Sequence, residues 1–301
     1  MNKGIKILIG PSTFAAVDRE PMDKLVRNGF EVIPNPFGRK LTREELLKLL
    51  PGVQGLIAGL ETLDRQVLQN SELKVISRCG AGISNVDLNA AQELGIKVFS
   101  TPDAPTEAVA ELVIGAMISL LRHIPQMNLD LHGGQWAKKI GLQLEGKTVA
   151  IIGFGRIGRR VAELLQPFRT KIIVIDPIVN KEAGLEIRSL KEALPLADII
   201  TIHASGEDAI LGPREFALMK KGALLLNCAR GNLVDEKQLL AALESGTVQE
   251  AWLDCFVDEP YSGPLTKYPQ VIITPHVGSY TVECRRQMEM EAVDNLIKAF
   301  K

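Results

Sequence analysis

Short apolar runs alternate with stretches of helical period along almost the whole of this 301-residue chain, and that alternation most constrains its fold. Ile5–Ile9, Glu31–Ile33, Gly55–Ala58, Leu73–Ile76 and Val98–Phe99 read as buried strands. Between them, Leu41–Leu50 and Val86–Leu94 have helical spacing, the first with Thr42 as its expected cap and Glu45 three residues on. Alternating strand and helix implies a parallel sheet with right-handed crossovers. Past Thr101-Pro102 the pattern changes: Thr106–Leu121 and Ile124–Trp136 predict two helices. A second series then begins, with strands expected at Lys147–Ile152, Lys171–Ile175, Ile199–Ile202, Leu224–Leu226, Trp252–Asp254 and Val271–Ile273. Six strands with intervening helices match a dinucleotide-binding sheet. The last helix, Thr281–Phe300, follows that sheet and is expected to return to the first domain. The predicted class is α/β with two domains, residues 1–100 with 282–301 and residues 101–281.

Composition narrows the function. Hydrophobic residues make up 46% and charged ones 24%, the balance of a soluble globular protein. The formal net charge is −1 and no basic run stands out, so no field favours nucleic acid. Any bound anion must be held by a local site. The longest apolar stretch, Ala108 to Leu121, is interrupted by Glu111 and too short to cross a bilayer, so no membrane association is expected. Cys79, Cys228, Cys255 and Cys284 lack the spacing of a metal or redox site, and no metal is expected. Few cysteines and an opening, "MNKGIKILIGPST", without an uninterrupted apolar core point to the cytoplasm.

The strongest local signal is "KTVAIIGFGRIGRR". A strand ends at Ile152, and Gly153, Gly155 and Gly158 stand at the entry to a helix. Gly153 permits a tight turn, Gly155 lets the backbone approach a pyrophosphate, and Gly158 allows close helix–strand packing. Phe154, Arg156 and Ile157 complete this turn, and the helix N-terminus offers amides and a positive dipole end to phosphates. The next strand ends in Asp176, placed to accept hydrogen bonds from both ribose hydroxyls of an adenosine and to repel a 2′-phosphate. That predicts NAD over NADP; the plainer reading of Asp176 is a cap or turn residue. Arg156 and Arg159 read as phosphate neighbours or solvated helix residues.

Three ionisable residues follow three expected strand ends: Arg230 in "LLNCARGNLVDE", Glu259 in "LDCFVDEP" and His276 in "ITPHVGSY". Loops at strand carboxyl ends form the cleft of such sheets. Reducing a 2-keto acid needs a cation for the carboxylate and carbonyl, a proton donor, and a group that orients that donor. Singly, Arg230 fits a surface cation, Glu259 an exposed loop acid and His276 a satisfied loop histidine. Beside a cofactor turn the three fit the reduction.

The chain resembles the D-isomer-specific 2-hydroxyacid dehydrogenases, and within them the phosphoglycerate dehydrogenases of serine biosynthesis, over nearly its whole length. The resemblance is carried by "SRCGAGISNVDL", "AVAELVIGAMISLLRHIP", "LEGKTVAIIGFGRIGRRVAE", "MKKGALLLNCARGNLVDE", "LDCFVDEP" and "ITPHVGSYT". It implies a Rossmann-type NAD-binding domain and a flavodoxin-like substrate domain. It implies Arg230 as the carboxylate and carbonyl clamp, His276 as proton donor and acceptor, and Glu259 as the partner that keeps His276 basic. Backbone amides of Cys79, Gly80, Ala81 and Gly82 are implied to hold the substrate carboxylate, with Arg78 beside them. Asp254 is implied to face the nicotinamide carboxamide; Cys228, Ala229 and Gly278 are expected near it, with His203 and Ala204 on the cofactor side. A homodimer through the 106–136 helical region is implied, with Trp136 fitting either an interface or a core. A corepressor branch of the family makes an NAD(H)-binding interaction protein the alternative to an enzyme.

Two departures matter. After His203 the family usually continues with a Pro and two Thr, whereas "HASGEDAILGPREF" is shorter and lacks those Thr, which is expected to lower NAD affinity. Phosphoglycerate enzymes tend to carry an Arg at the end of the strand that here reads "GLIAGLETLD"; Ala58, Gly59 and Leu60 offer no cation for a phosphate. Arg78, or Lys138 and Lys139 of a partner subunit, could substitute. Ending soon after the last helix, the chain is expected to lack a C-terminal regulatory domain and serine feedback through it.

Overall fold

Residues 4–180, 182 and 184–301 are described by a computed structural model, in which they divide into two compact units. One comprises the chain up to Pro105 together with Ser279–Lys301; the other is Thr106–Gly278. Each is built on one parallel sheet, and the class is α/β.

In the first unit the strands are β1 (Lys6–Ile9), β2 (Glu31–Ile33), β3 (Gly55–Ala58), β4 (Val75–Arg78) and β5 (Lys97–Phe99). They lie in the order β2-β1-β3-β4-β5, with every pair parallel. A sheet covered on both faces needs continuous apolar strands. Ile7, Leu8, Leu56, Ile57 and Ile76 are accordingly fully buried, each contributing about 1.5–3 kcal/mol relative to exposure. The fourth strand runs two residues later than the apolar run suggested, because Lys74 still pairs outside it, through Gln54. The helix Arg43–Leu49 opens on a capping box, in which Glu45 N donates to Thr42 Oγ1 at 3.3 Å and Thr42 N donates to Glu45 at 2.9 Å. The last helix, Val282–Ala299, is capped by Thr281 Oγ1, which accepts from Cys284 N, and packs on β3, β4 and the helix Glu20–Arg27.

The second unit has seven strands: β6 (Thr148–Ile152), β7 (Lys171–Ile175), β8 (Glu186–Ile187), β9 (Ile199–Ile202), β10 (Ala223–Asn227), β11 (Val248–Leu253) and β12 (Val271–Ile273). Their order is β12-β11-β10-β9-β6-β7-β8, all parallel. This is a doubly wound Rossmann sheet with one strand beyond the six expected. The extra strand, β8, is two residues long and begins with a glutamate, too short to leave an apolar period. The helix Ile124–His132 is also shorter than expected. Gly133 and Gly134, the latter at φ 76°, end it four residues before Trp136. No single helix among the described residues is long and apolar enough to cross a membrane.

Candidate active site

The strand order of the second unit reverses between β6 and β9, where ligands of such sheets bind. Gly153 leaves β6 at φ 90°, and a Cβ there would stand 2.5 Å from Ala204 N, just past β9. Only glycine lets these two chain segments touch. A Cβ at Gly158 would strike the Gly153 carbonyl, so the helix Arg156–Leu165 lies directly against the turn. At Gly155 a Cβ would meet nothing within 4 Å. The first amides of that helix precede its first internal bond, Arg159 N to Gly155 O, so Arg156, Ile157 and Gly158 point N–H groups outward. An open glycine at a helix N-terminus fits the pyrophosphate of a dinucleotide.

Asp176 stands just past β7. Its Oδ2 accepts from Phe154 N at 2.7 Å, and its Oδ1 accepts from Ile178 N at 2.8 Å and Val179 N at 3.1 Å. Burial works to raise this carboxyl, but the three amides and the Arg159 guanidinium outweigh it and hold Asp176 below the usual range. These three bonds make Asp176 a turn residue. A carboxylate has about four acceptor positions. Three are taken, which leaves room for one ribose hydroxyl instead of the two expected. Arg159 stacks on Phe154, 4.6 Å from the ring centroid, and pairs with Glu182.

Past β9, His203 is turned inward. Its Nε2 is 2.9 Å from Thr201 Oγ1 and its Nδ1 3.6 Å from Cys228 Sγ. Burial pushes its pKa down to about 3, so it is neutral and no acid. Burial likewise raises the Cys228 thiol. The short loop after His203 is tied down by Asn232 Nδ2, which donates to the carbonyls of Gly206 and Glu207.

The three ionisable residues stand just past β10, β11 and β12, which are neighbours in the sheet. His276 Nδ1 is 3.0 Å from both carboxylate oxygens of Glu259, and each side chain is about one-third exposed (34% and 32%). Glu259 Oε1 also accepts from Phe256 N at 3.1 Å. The Phe256–Val257 backbone packs against Gly231, where a Cβ would collide with it, and this brings the Arg230 segment beside the loop carrying Glu259. Arg230 Nη1 donates to Ala229 O at 2.6 Å. His276 has a left-handed backbone, φ 55°, which a non-glycine residue adopts only when its surroundings enforce it.

Asp254 supplies that enforcement. It was expected to face a nicotinamide carboxamide, but it is 1% exposed and its carboxylate is spent on the His276 loop. Oδ1 accepts from Thr274 Oγ1 at 2.6 Å and Val277 N at 2.9 Å, and Oδ2 accepts from Gly278 N at 2.8 Å. Trp252 Nε1 donates in turn to Thr274 Oγ1 at 3.0 Å. Sequence reading missed Thr274. It also missed buried Asn227, whose Nδ2 donates to Arg230 O at 2.8 Å and whose Oδ1 accepts from Ala229 N at 3.1 Å. Its one signal was a polar residue closing an apolar strand.

The loop Arg78–Gly82 belongs to the first unit. Cys79 N donates to Ala58 O and Gly80 N to Thr101 Oγ1, both at 2.8 Å. Those two amides are therefore committed inside the protein, contrary to expectation. Ala81 and Gly82 make no such bond among the described residues. Arg78 donates to Cys79 O, and its guanidinium lies where a Cβ of Gly80 would be. Among the described residues no group of acidic, His and Cys side chains is placed to hold a metal ion.

Residues 114–278 match the family model described as "D-isomer specific 2-hydroxyacid dehydrogenase, NAD binding domain". The chain belongs to that family. It is 41% identical to a D-3-phosphoglycerate dehydrogenase of Methanocaldococcus jannaschii over 82% of this chain and 49% of the relative. A hydroxypyruvate reductase of Thermotoga maritima is 35% identical over 93% of this chain and 96% of the relative. A solved structure of an NADPH-dependent glyoxylate/hydroxypyruvate reductase from Sinorhizobium meliloti superimposes with a TM-score of 0.88 at 28% identity, covering 99% and 94% of the two chains. This family member spans only 49% to 56% of the curated phosphoglycerate dehydrogenases it matches.

Proposed function

We propose that this chain is an NAD-dependent dehydrogenase interconverting a D-2-hydroxy acid and its 2-keto acid, acting on 3-phosphoglycerate or a relative such as glycerate, glyoxylate or hydroxypyruvate. The observation that carries the reading is the His276–Glu259 pair, held past the carboxyl ends of the sheet that bears the glycine-rich turn. Bound NAD supplies or accepts hydride at C4 of its nicotinamide ring. Gly153–Gly158 and Asp176 hold its pyrophosphate and adenosine ribose.

In the reducing direction, Glu259 accepts from Nδ1–H of His276 and so stabilises the imidazolium form. Nε2–H of that imidazolium then gives its proton to the carbonyl oxygen as the 2-carbon receives hydride. In the oxidising direction, neutral Nε2 takes the hydroxyl proton. Arg230 holds the carboxylate and polarises the carbonyl, where its fixed charge matches the charge that develops on oxygen. Asp254 acts through the loop, keeping His276 in its left-handed conformation. The amides of Ala81 and Gly82 and the Arg78 guanidinium receive the substrate carboxylate.

Purified protein with NADH and a panel of 2-keto acids, including glyoxylate, hydroxypyruvate and its 3-phosphate, should consume NADH. His276→Ala should lower kcat by about 100-fold or more. Binding of NADH without turnover of any acid would overturn the enzyme reading in favour of a corepressor-like interaction protein. A fully active His276→Ala variant would overturn the assignment of the acid.

The same reading makes the protein a homodimer joined through residues 106–136. Trp136 keeps 80% and Ile140 97% of their surface exposed, with Leu129 and Leu131 also bare, which removes the core alternative for Trp136. Bare apolar groups this close in the chain support that reading. Sedimentation should report twice the 32.9 kDa chain mass, and a monomer at micromolar concentration would remove the dimer.

A further inference from the structure

The apolar strand β10, "ALLLN", closes on an asparagine that is 1% exposed, and a residue so buried must find partners for both ends of its amide. Asn227 finds them on the two residues Ala229 and Arg230. Its Oδ1 accepts from Ala229 N at 3.1 Å, and its Nδ2 donates to Arg230 O at 2.8 Å. The first bond alone makes a turn, for which an aspartate or a serine would serve as well. The second needs an amide, which carries an acceptor and a donor on one planar group. Arg230 Nη1 in turn donates to Ala229 O at 2.6 Å. Three successive peptide groups around Arg230 are therefore held, two by the Asn227 amide and one by the guanidinium itself. On the far side the stretch is closed by Gly231, against which the Phe256–Val257 backbone lies too close for any side chain. The backbone carbonyl of Asn227 faces the neighbouring strand end, where it accepts from Asp254 N at 2.9 Å and from Cys255 Sγ at 3.7 Å.

We infer that Asn227 is the positioning residue of Arg230: its side-chain amide sets where the guanidinium stands relative to the His276–Glu259 pair. This role rests on the function proposed above and deepens it by naming what aims the cation of that site. A guanidinium on a flexible stem has many rotamers, yet it serves a developing charge only from one place. Backbone fixed on both sides of its Cα leaves the side chain only its own torsions. Arg230 is extended, φ −149° and ψ 143°, a conformation any residue adopts, so its direction comes from Asn227 and Gly231. The site then has two supports. Asp254, just past β11, fixes the His276 turn through its carboxylate, and Asn227, at the end of β10, fixes Arg230 through its amide. The bond from Asp254 N to Asn227 O joins them, so acid and cation hang from adjacent strand ends of one sheet. That bond uses backbone atoms alone, and replacing the Asn227 side chain leaves it and the His276 turn in place.

A double-mutant cycle separates positioning from mere support of the fold, read as kcat/KM at saturating NADH for the 2-keto acid the protein reduces best. Asn227→Ala should lower kcat/KM by on the order of 100-fold, the cost of a clamp displaced by about 1 Å. KM should rise and kcat fall together, since Arg230 both holds the carboxylate and polarises the carbonyl. In an Arg230→Ala background the same substitution should change kcat/KM by less than about 3-fold, because no cation remains to be aimed. A merely structural Asn227 would cost the same factor in both backgrounds, and that result overturns the inference. Should Asn227→Ala not fold, Asn227→Ser keeps an acceptor for Ala229 N, and so the turn, without reaching Arg230 O. Its loss of activity should likewise vanish in the Arg230→Ala background, and full activity in Asn227→Ser overturns the inference as well. Either result leaves the dehydrogenase standing. No turnover of any acid by the parent protein overturns the proposed function, and the inference with it.

Discussion

The two units carry the same topological device and use it in opposite ways. Each parallel sheet reverses its strand order once, and each places glycines at the strand ends beside the reversal. At Gly155 the space a side chain would take is empty of protein within 4 Å, whereas at Gly10 it lies 2.8 Å from the Glu61 carboxyl. A glycine at a switch point thus marks a close approach without saying what approaches. In the second unit the approaching group is left to a ligand; in the first, the chain supplies it. Fold makes the crevice, and one side chain decides its occupant.

The sharpest way to break this contrast is to give the open crevice a side chain of its own. Gly155 has φ −76° and ψ −157°, extended backbone that a branched residue adopts without strain. Gly155→Val should therefore fold, with a Tm close to that of the parent. Its isopropyl group would stand where the pyrophosphate must reach the helix amides. Losing even one or two charge-assisted hydrogen bonds should raise the Kd for NADH by on the order of 100-fold. Fluorescence titration of bound NADH would measure it. An unchanged Kd would mean the glycine is open for a reason unrelated to the cofactor, and the contrast between the units would fail.

The same contrast explains what could be read from the residues. Parallel strands buried on both faces are continuous apolar runs, so β2, β3, β7, β9 and β12 were legible to the residue. Strand β8 was not, because two residues cannot carry a period. The turn Gly153–Gly158 was legible because each glycine answers a local steric demand. Arg230, Glu259 and His276 were legible as residues after strand ends, and the resemblance implied the Glu259–His276 partnership, but the polar contacts behind them were not legible. Asp254 and Thr274 are remote from each other in the chain and meet only because β11 and β12 are neighbours. Glu61 carries no local signal of its burial, which involves Gly10, some fifty positions earlier. Apart from β8, the missed features are polar contacts in loops past the strands, for which a chain carries no periodic signal.

The smallest expected effect concerns Asp176, which sits between the two extremes: an acid at an open site, with most of its acceptor capacity already used. If only one position on Oδ2 remains, most of its influence on cofactor choice is repulsion of a 2′-phosphate instead of attraction of the ribose. Asp176→Asn should then improve kcat/KM for NADPH by about 10-fold, consistent with relief of one close like-charge contact, while changing KM for NADH by less than about 3-fold. The two causes also differ in salt. Repulsion at a partly exposed carboxylate is screened as ionic strength rises, whereas a direct hydrogen bond is little affected. Raising salt from 0.05 M to 1 M (roughly 14 Å to 3 Å in screening length) should therefore help NADPH with the wild type and do little for the variant. If Asp176→Asn instead weakens NADH by more than it helps NADPH, the ribose contact dominates. The three backbone amides would then have to release the carboxylate when the cofactor binds.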